Sequence, residues 1–261
     1  HTSSSPSSSF TDPHSLPAMD TALQPQRRPG HGLMGSLRMV ELQLVAFIMV
    51  FSACGLVPLL DMIYPAFVSA YLIALARFAF PSRAAGSMEI LQGSKLLRLY
   101  VITGTVLGLF FPLAYVLGGF ARGDDHAVRS AAPHLFLLSF QILTENMISG
   151  LSFFSPPVRA FVPLLYTVRR IFVDMDWMRV VWIDKALPAN ASIQDMAWYW
   201  FGRTLSVANF GYFSFNLFGF LIPRFLPRAF EAYLLCKSEI TSKMAHDNTE
   251  KNDINSNKKS L

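Results

Sequence analysis

One apolar stretch of the chain carries side chains that could hold protons, ions or polar solutes inside a membrane. The stretch Pro133–Phe154 reads PHLFLLSFQILTENMISGLSFF and is long enough to cross a bilayer as a helix. It nevertheless contains His134, Gln141, Glu145 and Asn146. Polar and ionisable groups at membrane depth are costly unless they are partnered, so each of these residues indicates a functional site.

The spacing of these residues places most of them on one side of a helix. Residues seven apart share a helical face. The resulting stripe contains His134, Leu138, Gln141, Glu145, Ser149 and Ser152, with Asn146 beside it. We therefore expect a continuous polar seam that faces protein or a water-filled cavity and not lipid.

A second polar stripe lies in the apolar stretch Met196–Ile222. It contains Gly202, Ser206, Asn209 and Asn216, with Arg203 at its edge. Matching the two stripes by depth predicts that Asn209 or Asn216 hydrogen-bonds Glu145, and that Arg203 does not. The seam has two interpretations: a path for protons or solutes, or hydrogen bonding between helices. The second, worth about 0.6 kcal/mol per contact, is the favoured one.

The composition indicates a membrane protein. Of 261 residues, 52% are hydrophobic and 15% charged, and the mean hydropathy is +0.36, whereas soluble domains average about 25% charged residues. The formal net charge of +5 is typical of basic cytoplasmic loops and is no sign of nucleic-acid binding. The expected partners are the lipid bilayer and a membrane protein, which could be a second copy of this chain.

The hydrophobic pattern predicts an all-α, polytopic transmembrane bundle of about six spans. Residues 1–36 form a Ser/Pro-rich disordered tail, residues 37–235 the transmembrane domain, and residues 236–261 a polar C-terminal tail. Within this C-terminal region, Phe230–Met244 could form an interfacial helix, and Ala245–Leu261 is expected to be disordered. The predicted spans are Met39–Leu60, Tyr64–Phe80, 96–120, Pro133–Phe154, Arg159–Val173 and Met196–Ile222. The fifth, basic and amphipathic, either crosses the membrane or lies flat in its interface, which would leave five spans.

Three signals predict the orientation. Basic residues Arg27, Arg28 and Arg38 place the N-terminus in the cytoplasm. With six spans, the acceptor sequon at Asn190 then faces the lumen, where it can be glycosylated. The terminal Lys258-Lys259-Ser260-Leu261 resembles a dilysine retrieval signal, which must face the cytosol. These features favour the endoplasmic reticulum or another endomembrane. The Ser-rich N-terminus resembles a transit peptide, and the plastid envelope is the alternative.

Catalytic signatures are missing from the sequence. It contains no HExxH, GxSxG, Walker A or dinucleotide-binding motif, and its histidines are too widely spaced for a metal cluster. We therefore expect no catalytic residue, no metal and no cofactor. The favoured function is a non-catalytic structural or assembly component. The alternatives are a transporter or channel-like protein that uses the seam around Glu145, and a membrane-embedded lipid-modifying enzyme.

Several blocks of the sequence resemble a plant family of uncharacterised multi-pass transmembrane proteins that share a domain of unknown function. The similar blocks are FSACGLVPLLD, AAPHLFLLSFQILTEN, FVPLLYTVRRIF, DWMR and GRTLSVANFGYFSFNLFGFLIP. The resemblance covers about Leu42 to Tyr233. It implies a plant membrane protein with a variable N-terminus, and it assigns no activity or catalytic residue.

Overall fold

The regular structure of this protein is helical. The computed structural model describes residues 43, 46–48, 50, 51, 53–81, 95–151, 154–187 and 189–259. Within these ranges no strand occurs, and one isolated β-bridge joins Pro81 to Phe154. The expected all-α class is confirmed, while the predicted tail at residues 1–36 lies outside the described residues.

Seven α-helices and four π-helical segments follow one another along the described part of the chain. The α-helices are α1 Leu59–Ala74, α2 Lys95–Thr105, α3 Phe111–Arg122, α4 Asp125–Gly150, α5 Pro156–Arg179, α6 Ile193–Phe215 and α7 Leu226–Lys259. The π-helical segments are π1 Leu75–Ala79, π2 Val106–Phe110, π3 Val180–Asp184 and π4 Asn216–Phe225. Each π segment continues directly from an α-helix, so several of these elements join into long rods.

Three of these rods are long and apolar enough to cross a membrane. They are Leu59–Ala79, Ile102–Arg122 and Ile193–Ala245. They contain most of three predicted spans, Tyr64–Phe80, 96–120 and Met196–Ile222. The predicted span Met39–Leu60 lies mostly outside the described residues.

Two other predicted spans have different limits in the structure. The stretch Pro133–Phe154 belongs to α4, which already begins at Asp125 and ends at Gly150. The segment Arg159–Val173 lies inside the longer α5. Neither helix is among the three apolar rods. The reason is burial: α4 and α5 pack against each other in the middle of the bundle, where polar side chains meet protein.

The C-terminal region also differs from its prediction. Disorder was predicted from Ala245 onward, whereas α7 continues without a break to Lys259. One local reason is visible on its exposed surface, where Lys243 Nζ lies 2.9 Å from Glu239 Oε1 at the i,i+4 spacing that supports a helix.

Glycines allow the apolar rods to approach one another closely. A Cβ atom placed on Gly104 would lie 2.9 Å from Tyr212 Cζ, and one on Gly108 would lie 2.8 Å from Phe213 Cζ. The GTVLG pair therefore acts as a small-xxx-small contact against α6. On α6 itself, Gly202 faces Tyr115, whose ring stacks on Trp198 at a centroid distance of 4.9 Å.

Gly202→Ala is expected to destabilise the protein by about 1–3 kcal/mol, the usual cost of overpacking. The new Cβ would lie 2.7 Å from Tyr115 Cζ. Tyr115 is 1% exposed and cannot move aside. Thermal unfolding in detergent measures the effect. Gly211→Ala on the same helix is the control, because no atom lies within 4 Å of its Cβ. Equal melting temperatures for the two variants would contradict this packing.

Candidate functional site

The most buried ionisable residue on the predicted seam is His134 on α4. Its Nδ1 lies 2.7 Å from Asp174 Oδ1 on α5, and its Nε2 lies 2.9 Å from the carbonyl oxygen of Gly108 in π2. The side chains of His134 and Asp174 are both 0% exposed. One imidazole thus connects three elements in the interior of the bundle.

The local sequence explains why the Gly108 carbonyl is available. In an α-helix this oxygen would accept a hydrogen bond from residue 112, but Pro112 has no N–H group. The chain forms the π-helical segment π2 directly before this proline. Because Pro112 cannot donate a hydrogen bond to the Gly108 carbonyl oxygen, this oxygen is available to His134 Nε2.

A second group of partners continues the site along the same helices. Arg170 on α5, which is 1% exposed, donates from Nη2 to Gln141 Oε1. Gln141 in turn donates from Nε2 to Glu145 Oε1 at 2.8 Å. The guanidinium carbon of Arg170 also lies 4.4 Å from the ring centroid of Phe213 on α6. We call His134, Gln141, Glu145, Arg170 and Asp174 the polar cluster.

The structure brings together only part of the predicted seam. Gln141 and Glu145 belong to one hydrogen-bonded group with Arg170, and His134 pairs separately with Asp174. The predicted bond from Asn209 or Asn216 to Glu145 is wrong. Glu145 accepts from Gln141 one turn earlier on its own helix. A partner at i−4 is available without any tertiary adjustment, and this local contact replaces the depth-matched one.

The remaining seam residues have other partners. Asn209 is 0% exposed and donates to Leu205 O at 2.9 Å, and Asn216 accepts from Tyr100 Oη at 2.5 Å. Arg203 donates to the carbonyls of Val181 and Trp182. Asn146 is partly buried near the C-terminal end of α4. Asn209 also lies next to Gly108, whose carbonyl oxygen is paired with His134.

Sequence reasoning missed Arg170 and Asp174. Arg170 was assigned to Arg159–Val173, the segment that either crosses the membrane or lies in its interface, and Asp174 lay just outside every predicted span. Their i,i+4 spacing, continued by Thr167 before and Trp177 after them, was the available signal, because all four residues lie buried on one face of α5.

That face of α5 carries an unusual row of polar atoms. Within the described part of the chain, five buried side-chain atoms have no hydrogen-bond partner: Thr167 Oγ1, Arg170 Nε, Asp174 Oδ2, Trp177 Nε1 and Asn209 Oδ1. Four of them are on α5. Buried polar atoms are nearly always paired, so the row marks the part of the bundle where polar chemistry is concentrated.

A different polar site lies at one end of the bundle, where α4 begins. Asp124 caps this helix by accepting from Ala127 N at 3.1 Å, and it also binds Lys185 Nζ and Trp198 Nε1. A cavity of about 510 Å³ opens here, lined in part by Arg122, His126, Asp184 and Asp195. No group of three or more potential metal ligands occurs among the described residues.

The predicted glycosylation site lies in an accessible turn. Asn190 is exposed and sits two residues before Ser192, the N-cap of α6. Ser192 Oγ accepts from Asp195 N at 3.1 Å, and the Asp195 carboxylate accepts from Ser192 N at 3.2 Å. A capping box thus closes the turn, and Asn190 remains exposed beside it.

Asp124 is expected to stabilise the fold only where it is ionised. Burial alone would raise its pKa, but hydrogen bonds from Lys185, Trp198 and Ala127 N lower the pKa overall. A lowered folded-state pKa contributes stability above the unfolded value of about 3.9, and this is lost as the pH falls through the folded value. Asp124→Asn should therefore melt below the wild type at about pH 7, with the gap narrowing on acidification below about pH 4. Asp125→Asn is the control on the same helical turn, and a gap independent of pH would contradict this role.

These observations define an all-helical protein with three rods that could cross a membrane and a polar cluster enclosed between α4 and α5. The chain belongs to the family described as a domain of unknown function (DUF7733), whose model matches residues 35–234. No curated protein and no solved structure matches it. The family description names no activity, so the function has to be inferred from the site.

Proposed function

We propose that this protein is an integral component of an endomembrane, with about six spans, and that it serves there as a non-catalytic structural or assembly component. The observation that carries this proposal is the distribution of polarity. The three apolar rods expose many large hydrophobic side chains, among them Phe67, Phe110 and Phe218. The ionisable groups in the interior are held by partners from the same chain. This arrangement suits lipid surroundings, where charges are stable only when they face the bundle and are paired.

The inner helices can cross the membrane without being strongly apolar. Helices α4 and α5 have 26 and 24 residues, more than the roughly 20 that a bilayer requires. Because neighbouring helices cover much of their surface, their polar residues need not contact lipid. Together with the three apolar rods and Met39–Leu60, they give the six spans.

The long C-terminal rod favours a role in assembly. The rod from Ile193 to Ala245 has 53 residues, about 80 Å at 1.5 Å per residue, whereas the hydrocarbon core is about 30 Å thick. Much of α7 therefore projects from the bilayer. With six spans it projects into the cytosol, where a partner protein can bind it.

The orientation of the full-length chain in the membrane can be tested with two labels, a glycan at Asn190 and a C-terminal epitope. We expect a glycosidase-sensitive mobility shift that Asn190→Gln abolishes, because Asn190 faces the lumen. This variant leaves the Ser192 cap intact. A C-terminal epitope should be reached by antibody when only the plasma membrane is permeabilised. A glycan at Asn190 together with a protected C-terminal epitope would overturn the six-span orientation.

The assembly role is tested with the full chain in mild detergent. We expect it to elute in a complex of defined stoichiometry larger than one chain plus its micelle, and a chain truncated after residue 235 to lose that complex while keeping its own fold. Elution of the full chain as a monomer from its native membrane would contradict the proposal.

Transport is the second candidate, and the row of unpartnered polar atoms on α5 is the observation that favours it. Such a row could contact a polar solute that moves between α4, α5 and α6. Solute or proton flux into vesicles that contain only the purified chain, lost in Glu145→Gln and retained in Glu231→Gln, would favour this function. Glu231 is the matched control because it is exposed on α7. Absence of flux in the wild type would leave the assembly role.

A further inference from the structure

The hydrogen-bond partners of His134 determine how many protons its site holds. Nε2 faces the carbonyl oxygen of Gly108 at 2.9 Å. A carbonyl oxygen can only accept, so Nε2 must carry a hydrogen. The geometry thus determines the protonation of Nε2. The protonation of the other ring nitrogen, Nδ1, depends on its contact with Asp174.

The contact between His134 and Asp174 requires a second hydrogen. If Nδ1 were unprotonated and Asp174 ionised, two lone pairs would face each other at 2.7 Å inside the bundle. Both side chains are 0% exposed, so water does not screen that repulsion. A hydrogen must therefore lie between Nδ1 and Oδ1. It gives either an imidazolium with a carboxylate or an imidazole with a carboxylic acid, and both forms contain the same number of protons.

We propose that His134 and Asp174 form a proton-binding site inside the bundle, which holds one proton more than a neutral imidazole with a carboxylate. A proton is the one ligand that needs no cavity, so a fully enclosed pair can bind it. This inference goes beyond the proposed function, because it applies equally to an assembly component and to a transporter.

Charged groups on the same two helices lie close to the pair. Arg170 on α5 interacts electrostatically with Asp174 and with Glu145 on α4, and Tyr212 acts on Arg170 from α6. Gly108, Trp177 and Phe213 contribute no charge. The pair with its proton is neutral, so it adds no unbalanced charge to the interior, where such a charge is strongly unfavourable.

Nitrogen NMR of the full chain in detergent at about pH 7.5 tests the site directly. An exposed histidine, with a pKa of about 6.5, is mostly neutral under these conditions. The chain has six histidines, and His134→Asn assigns the signal of interest. We expect a hydrogen on Nε2 and a second, strongly hydrogen-bonded hydrogen shared by Nδ1. A signal in which Nε2 carries no hydrogen would overturn the proposal.

The variant Asp174→Asn removes the extra proton of the pair but keeps a side chain of nearly the same size and shape. An asparagine amide can donate to Nδ1, so His134 keeps both hydrogen bonds without the extra proton. We expect this variant to fold and its ring to carry hydrogen on Nε2 only. On unfolding in weakly buffered denaturant at about pH 8, the wild type should release one more proton than the variant, because free His and Asp are both deprotonated there.

Asp176→Asn is the matched control, since Asp176 is exposed on the same helix. It should release as many protons as the wild type. Equal release by the wild type and Asp174→Asn would overturn the proposal. If Asp174→Asn does not fold, the wild-type NMR signal decides instead: a His134 ring that carries a hydrogen on only one nitrogen at about pH 7.5 would contradict the proposal.

Discussion

Arg170→Met is expected to lower the free energy of unfolding by about 3–5 kcal/mol, the usual cost of removing one partner from a buried charge network. Arg170 is 1% exposed, and it is the one arginine of the polar cluster, which contains no lysine. Its removal leaves Glu145 without its balancing charge and Gln141 Oε1 without a donor. Methionine fills a similar space, but it supplies neither the positive charge nor the hydrogen-bond donor.

The loss is measured as a fall in melting temperature by fluorescence-detected size exclusion in detergent. Arg179→Met is the control, because Arg179 is exposed near the end of the same helix and should change stability by no more than about 0.5 kcal/mol. Arg170→Lys should fall between the two, since lysine keeps the charge but lacks the planar fork. Similar melting temperatures for the Arg170 and Arg179 variants would show that the charge does not stabilise the interior.

The helical pattern of the sequence was sufficient to predict which residues share a face. His134 and Gln141, seven residues apart on α4, both face partners on α5. On α6, Gly202, Ser206 and Asn209 are buried, while the fourth residue of the predicted stripe, Asn216, lies in π4. This part of the site follows from the geometry of a single helix, which residue spacing determines directly.

The partner of each polar residue could not be predicted in the same way. Periodicity assigns a face to a helix but does not specify which neighbouring helix meets that face. Asp174 lies just beyond the predicted span Arg159–Val173, although in the structure it lies within α5 and contacts His134. The Gly108 carbonyl was also unpredictable from residue type, because a backbone group becomes an acceptor here only through Pro112 and the segment π2.

The predicted number of spans shows a related difficulty. Hydropathy identifies helices that contact lipid, such as Leu59–Ala79, because their exposed faces must be apolar. It is much less sensitive to inner helices such as α4, where the cluster residues replace apolar ones. A stretch like Pro133–Phe154 can therefore be recognised as helical and buried, while its limits depend on capping by Asp124 and on contacts with α5.

Arg169→Met is also expected to lower the free energy of unfolding by about 3–5 kcal/mol. A second substitution, at Asp61, should restore most of this lost stability. Arg169 Nε lies 2.7 Å from Asp61 Oδ1, and this contact links α5 to the first turn of α1. Asp61 is 2% exposed. Without Arg169 its carboxylate stays buried with no opposite charge to balance it.

The double variant Asp61→Leu with Arg169→Met should recover most of the lost stability. Replacing both members of a buried ion pair by apolar residues is often neutral or stabilising, whereas removing one is strongly destabilising. A thermodynamic cycle over the wild type, the two single variants and the double variant measures the coupling. We expect a coupling of at least about 1 kcal/mol, and additive losses would show that Asp61 and Arg169 stabilise the two helices through separate contacts. Because the cycle compares chains that differ only at these positions, recovery would identify the unpaired charge, and not the lost volume, as the cause of the destabilisation.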